Sequence, residues 1–442
     1  MDKEKEFKKF FQFTSLVTDV FPRHGAPVLD LAVRTFLGNV FVLKTTEHQA
    51  RKQLRKTTRI RRILVAADLN IGDAIIAGAA VAAVREIFPQ AEIDCVIKRS
   101  AENLIRGNPL ISNLYPVYEG APFPVQSDLA ALTSISANGG YDLVINFSPM
   151  VDDRVFGKGP VVNYSRMAAA LIRNESHRTD VVNNVVYQSY DFVGRLFRDR
   201  IPSGFGQNFR GANVYLSDEA IEGANNFLLA AGVPQDEPIV MINPDASSKF
   251  TRMPFDFQLG LLRKFAEMQC SVLLGAGHVE KFIEHELLYS LSPEQRRKIT
   301  VIPASTGLDL YAALVDLSDV FVTGDTGPLH VAAARKYSRS SGESLRNRTS
   351  ILAVFGSTPS HIYGYDSKTS GFFPANQDAP SRTFVAESQC RNITCINKMA
   401  KTCKEVRCFL SLDPDDVVLE ASSYLKTTRK EFFQDRLRIL AK

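Results

Sequence analysis

Val320-Phe321-Val322-Thr323-Gly324-Asp325-Thr326-Gly327-Pro328-Leu329-His330-Val331-Ala332-Ala333-Ala334 reads as a strand that runs into a helix through a glycine turn. Three strand-forming residues come first, Thr-Gly-Asp-Thr-Gly turns the chain, and a small-residue helix begins near Pro328. Such a junction aims unsatisfied backbone N–H groups and the positive end of a helix dipole at one point. A diphosphate suits that point. Asp325 and His330 flank it with groups able to hold hydroxyls or phosphate oxygens. Alone, the turn has a plainer account as a tight connection, so the surrounding chain has to decide.

On either side, strands alternate with helices. Ile63-Leu64-Val65-Ala66-Ala67 is a buried strand, Ala74 to Ile87 a small-residue helix, and Ile93 to Ile97 and Tyr141 to Asn146 are further strands. A break follows at Ala230-Ala231-Gly232-Val233-Pro234, and the alternation then restarts. Strands are expected at 239–243, 271–275, 299–302, 320–322 and 350–356, with helices at 254–267 and 307–316. Strands separated by helices of this length imply a parallel sheet wrapped on both faces. Two such units, 58–232 and 233–442, place a cleft between them at the C-terminal ends of the strands. Residues 1–57 stand apart as a Phe- and Lys-rich extension that leads into a basic run from Arg51 to Arg62. Docking on an anionic membrane surface is one account of residues 1–62. A helical extension with a solvated basic linker is the other.

Composition narrows the class. The 442 residues are 45% hydrophobic and 23% charged, as in a globular protein. A net charge of +5 from 53 basic and 48 acidic residues is too mild to argue for nucleic acid. No apolar run reaches the ~20 residues that span a bilayer. The start, Met1-Asp2-Lys3-Glu4-Lys5-Glu6, lacks a signal-peptide pattern, so the expectation is a cytoplasmic chain, peripheral on the membrane if the basic run docks.

Each strand-end turn contributes candidates. In the first unit, Asp68-Leu69-Asn70-Ile71-Gly72-Asp73 joins the first strand to the first helix. Asp73 there is either a helix cap or a carboxylate placed to take a proton from a hydroxyl. In the second unit, Asn243 to Pro254 carries Lys249 and Arg252, which could neutralise a diphosphate or simply be solvated. Leu274 to Glu280 and Phe355 to Ser360 are further turns on the same edge. The run Lys336 to Arg348 reads as a polar loop. An Asp-x-Asp pair occurs only at Asp413-Pro414-Asp415, where it reads as a helix start.

Six cysteines are present, and four of them, Cys390, Cys395, Cys403 and Cys408, fall within 19 residues. Their spacing, Cys-x4-Cys-x7-Cys-x4-Cys, is not that of a standard zinc knuckle. A structural Zn or Fe, a pair of disulfides, and free thiols all stay open. Cys95 and Cys270 look like core residues.

Gly72-Asp73 after the first strand, Thr323-Gly324-Asp325-Thr326-Gly327-Pro328-Leu329-His330, and Phe355-Gly356-Ser357-Thr358-Pro359 resemble glycosyltransferase family 9, the heptosyltransferase-like group. The resemblance covers about residues 60–425. It implies a GT-B fold and an inverting enzyme that needs no metal or other cofactor for catalysis. It further implies transfer of a sugar, commonly heptose from an ADP-sugar, to a glycan or lipid-linked acceptor of lipopolysaccharide type. By the same resemblance Asp73 would be the general base, and Asp325, Thr326, Gly327 and His330 the donor loop. Lys249 or Arg252 would supply the charge. A nucleotide-sugar epimerase and a non-catalytic nucleotide-sugar-binding protein are the alternative readings.

Overall fold

The structure is a computed structural model that describes residue 54 and residues 59–67, 71–118, 126–147, 153–156, 160–163, 184–207, 209, 211–246, 251–275, 286–337, 349–356, 358, 360–366, 381–386 and 407–427. The basic extension, Lys249, Cys390, Cys395 and Cys403 lie outside these residues.

The first unit is a five-stranded parallel sheet of β1 (Arg62–Ala67), β2 (Glu92–Lys98), β3 (Asn113–Tyr118), β4 (Leu143–Asn146) and β5 (Val161–Asn163), in the order β3-β2-β1-β4-β5. The second holds six strands, β6 (Ile239–Asn243), β7 (Ser271–Gly275), β8 (Ile299–Ile302), β9 (Val320–Gly324), β10 (Ser350–Phe355) and β11 (Ser381–Val385). Their order, β8-β7-β6-β9-β10-β11, is the doubly wound 3-2-1-4-5-6 arrangement counted from β6. Both sheets reverse direction beside their first strand, between β1 and β4 and between β6 and β9. Ligands settle outside the strand ends at such switch points.

Eight helices of eight or more residues are described: α1 (Ile71–Ile87), α2 (Gln126–Gly139), α3 (Val185–Leu196), α4 (Asp218–Ala230), α5 (Phe255–Glu267), α6 (Leu308–Asp316), α7 (Gly327–Tyr337) and α8 (Pro414–Thr427). α1 is buried nearly all round, and its alanines let the helix lie close to its neighbours. α4 begins on Ser217, whose hydroxyl accepts the Ala220 amide at 3.2 Å. It ends at Gly232, whose φ of +70° sets the left-handed turn that returns the Val233 amide to the Leu228 carbonyl. Gly223 of α4 faces Leu310 of α6, so this helix lies on the second unit although it precedes the break at 231–238. Asp413 caps α8 by accepting the Asp415 amide at 2.9 Å, so the Asp-x-Asp pair is a helix start.

A strap near Tyr215 joins the units. The Tyr215 amide donates to the Leu104 carbonyl of the first unit at 3.1 Å. One residue earlier, the Val214 carbonyl accepts Arg335 Nη1 of α7 at 2.9 Å. The same guanidinium holds Asp316 Oδ2 at the end of α6 at 2.8 and 2.6 Å. Arg335 is only 4% exposed, so this ion pair is well sheltered from water. Apolar residues of α1 and α7 belong to one contiguous core.

One sequence expectation needs adjusting. Lys336 does not open a polar loop. It closes α7, is buried, and donates through Nζ to the Thr349 carbonyl at 2.7 Å. Burial pushes its pKa down to about 7, against the preference of a helix C-terminus for positive charge. Cys95 and Cys270 are buried, as expected, whereas Cys408 is half-buried.

Candidate active site

The first turns of α1 and α7, from the two units, lie against each other. A Cβ added at Gly72 would stand 2.6 Å from His330 Cδ2, and one added at Gly327 would stand 3.4 Å from Ile71 Cβ. Glycine at 72 is therefore what lets the helices approach. Two positive helix ends in contact raise the local potential, which favours negative charge beside them. The chain supplies some of that charge itself. Asp73, half-buried in the first turn of α1, lies near enough to Asp325 to act on its titration. The Asp325 carboxyl is pushed up to about 6. Burial is the main cause, the neighbouring Thr358 hydroxyl pulls the other way, and the Asp73 charge adds to the rise.

The sequence placed the anion cradle at the turn into the helix near Pro328, and the structure narrows it. Pro328 has no amide hydrogen, and the Leu329 amide already donates to the Thr326 carbonyl at 3.1 Å. The amides of Thr326 and Gly327 remain, with no partner among the described residues. Both residues are partly exposed.

Beside the cradle the β6–α5 loop folds over β9. A Cβ at Gly324 would stand 2.7 Å from the Thr251 carbonyl oxygen, so only glycine lets the loop cross there. Arg252 sits on this crossing. Its Nη2 pairs with Asp245 Oδ1 at 3.0 Å and donates to the Ala246 carbonyl at 2.9 Å, which ties the loop to itself. Arg252 is thus anchored within its own loop as well as placed near the cradle.

His330 is buried at 6% exposure with Nδ1 2.7 Å from the Tyr365 hydroxyl. Burial pushes its pKa down to about 4, so the ring is neutral at physiological pH. Its immediate contact is Gly72, which makes it a packing element between the units. Tyr365 belongs to a segment tied to the first unit, since Asn184 Nδ2 donates to the Gly364 carbonyl at 2.7 Å.

Of the residues expected at the site, Asp73, Asp325, Thr326, Gly327, Arg252 and His330 are gathered at the junction of the units. Lys249 and three of the four clustered cysteines lie outside the described residues. Phe409, next to Cys408, packs on Gly356 at the end of β10, so residues 408–409 lie at this same sheet edge. Two contributors, Tyr311 and Tyr365, went unread in the sequence, and Asn243 and Thr358 stood in turns already noted without a role assigned to them. The signal for Asn243 was available, as a polar residue closing an otherwise apolar strand at the switch point. Tyr311 and Tyr365 reach the site from a helix and a loop with no distinctive pattern.

Residues 199–338 match the family described as Glycosyltransferase family 9 (heptosyltransferase). A curated relative, lipooligosaccharide heptosyltransferase 2 of Campylobacter jejuni subsp. jejuni serotype O:2, is 24% identical over 193 residues, 43% of this chain and 52% of the relative. The chain thus spans about half the length of that relative. Among solved structures, the glycosyl transferase family 9 protein from Veillonella parvula aligns with a TM-score of 0.59 at 16% identity, covering 83% of this chain and 97% of that one. The E. coli ADP-heptose lps heptosyltransferase II aligns with a TM-score of 0.57 at 14% identity, covering 82% and 98%. The stretch 199–338, which holds the turn at Gly324–His330, thus resembles glycosyltransferase family 9, and the two sheets share the fold of the solved Veillonella parvula and E. coli structures.

Proposed function

We propose that this chain is an inverting, metal-independent glycosyltransferase that moves heptose from ADP-heptose to a hydroxyl of a lipopolysaccharide-type acceptor. One observation carries the reading: a carboxylate at the start of α1 and an anion cradle at the start of α7 share one junction between two doubly wound units. Support for the sugar and acceptor comes from the names of the relatives and from the family match.

The acceptor hydroxyl attacks the anomeric carbon from the face opposite the diphosphate. Its proton passes to the Asp73 carboxylate, a new C–O bond forms, and the bond to the diphosphate oxygen breaks with its electron pair. Charge then grows on the leaving group. The amides of Thr326 and Gly327 and the helix end behind them stabilise that charge, with Lys249 and Arg252 adding positive charge from the β6–α5 loop. Asp325 holds sugar hydroxyls. With its carboxyl titrating at about 6 it is mostly ionised at neutral pH and accepts from those hydroxyls.

Asp73→Asn tests the assignment. It removes the base while keeping size and hydrogen bonding. Donor binding, followed by calorimetry, is expected to stay within about twofold, while transfer falls roughly 10²–10⁴-fold. Normal transfer by this variant removes Asp73 from the role of base.

A further inference from the structure

Asn243 closes β6 and is 5% exposed, and its register partner across the switch point is Thr323 of β9. The Tyr311 hydroxyl, arriving from α6, donates to Asn243 Oδ1 at 3.0 Å. With its oxygen engaged, the amide has one orientation, and Nδ2 faces the end of β9. Three acceptors surround Nδ2: the Asp245 carbonyl at 3.0 Å, Thr323 Oγ1 at 3.2 Å and Thr326 Oγ1 at 3.4 Å. The amide has two hydrogens for these three acceptors, so with the Asp245 carbonyl taking one, the other is shared between the two threonine oxygens, which also lie 3.3 Å from each other. The Thr323 hydrogen has the Gly324 carbonyl at 3.3 Å. The Thr326 hydrogen has Thr323 Oγ1 at 3.3 Å, or the open side above the start of α7.

We propose that Tyr311 and Asn243 are positioning residues that hold the Thr326 hydroxyl as a hydrogen-bond donor to the leaving diphosphate. The proposal rests on the reading of the α7 start as a diphosphate site. An anion over the Gly327 amide draws the Thr326 hydrogen outward, leaving its oxygen to accept from behind, from Asn243 Nδ2 or the Thr323 hydroxyl. Tyr311 acts at one remove, through the orientation of the Asn243 amide. Burial and the Asp245 charge push its hydroxyl pKa upward, so it stays a donor over the working pH range. The hydroxyl of Tyr311 would also stand 3.0 Å from a Cβ at Gly275, so glycine at the end of β7 leaves the space this bond needs.

The test is calorimetric titration of the full chain with ADP and, separately, with adenosine. It compares the natural protein, Tyr311→Phe, Thr326→Val and the double variant. Each single variant is expected to weaken ADP about threefold to tenfold, the worth of one hydrogen bond to a charged group or less. Adenosine binding should not change. The double variant should bind ADP no worse than Thr326→Val alone, because both changes break the same chain of bonds. Wild-type ADP affinity in Tyr311→Phe, or losses that multiply in the double variant, overturns the positioning role. If Tyr311→Phe does not fold, Asn243→Asp replaces it. That change keeps the Tyr311 bond, turns a donor into an acceptor, and is expected to weaken ADP more than about tenfold. Unchanged ADP affinity in Asn243→Asp overturns the proposal in the same way. If the natural protein binds none of ADP, UDP and GDP, the diphosphate reading fails and the positioning role with it, a pattern distinct from an altered variant beside a binding wild type.

Discussion

Asp325 shows how a site residue is tuned against the stability of the fold. Its carboxyl titrates at about 6 in the folded chain and near its ordinary 3.8 in the unfolded one. A raised acid destabilises the folded state once pH exceeds the unfolded value, and the cost is complete above the folded value. Asp325→Asn should therefore stabilise the protein by about 1–2 kcal/mol at pH 8, with the gain shrinking as pH falls through 6 toward 4. Urea unfolding of both proteins across that range checks it, and a gain independent of pH contradicts it. Gly72 makes a steric prediction. Its missing Cβ would lie 2.6 Å from His330 Cδ2, so Gly72→Ala must displace that ring or part the two helices. A cost of about 1–3 kcal/mol is expected in thermal unfolding, together with a clear loss of transfer. The sequence made Asp73, Asp325 and Thr326 legible because turn chemistry marks them locally. It could not show that His330 packs against Gly72, because that contact joins residues more than 250 positions apart in sequence and depends on how the units meet.

At the scale of elements, the central strands were legible and the edges were not. β1, β6, β7, β9 and β10 are continuous apolar runs buried on both faces. β3, with Pro116 inside it, reads poorly as a strand, yet proline is tolerated there because β3 is an edge. β5 is three residues long, and β11 is largely half-exposed, so neither carries a strong pattern. α3 was missed as well, although Asn184 caps it by accepting the Val186 amide at 2.9 Å. α1 was clear from its alanines, and it holds one improvable position. A Cβ at Gly78 would meet nothing within 4 Å, and the small apolar cavity beneath it is lined by Val65, Ile75, Cys95 and Ile97. Gly78→Ala should stabilise the fold by about 1 kcal/mol through helix propensity alone, with transfer unchanged. A fall in melting temperature would show that the space is needed.

At the scale of the whole molecule, α7 connects chemistry to architecture. Its first turn carries the proposed anion cradle, and its last turn carries Arg335, which binds Asp316 and the strap at Val214. Arg335→Met takes the charge partner from the partly buried Asp316 and should cost up to about 3–5 kcal/mol. Faster hydrogen exchange at the Tyr215 amide is expected with it, since that strap residue would lose its neighbour's anchor. Exchange unchanged at Tyr215 means that the strap is held by other contacts. The account as a whole depends on where a nucleoside diphosphate comes to rest. A crystal structure of the full chain with ADP is the direct measurement. The diphosphate is predicted on the amides of Thr326 and Gly327, with its terminal phosphate facing Asp73 across the junction. ADP seated elsewhere, or a terminal phosphate turned away from Asp73, contradicts it.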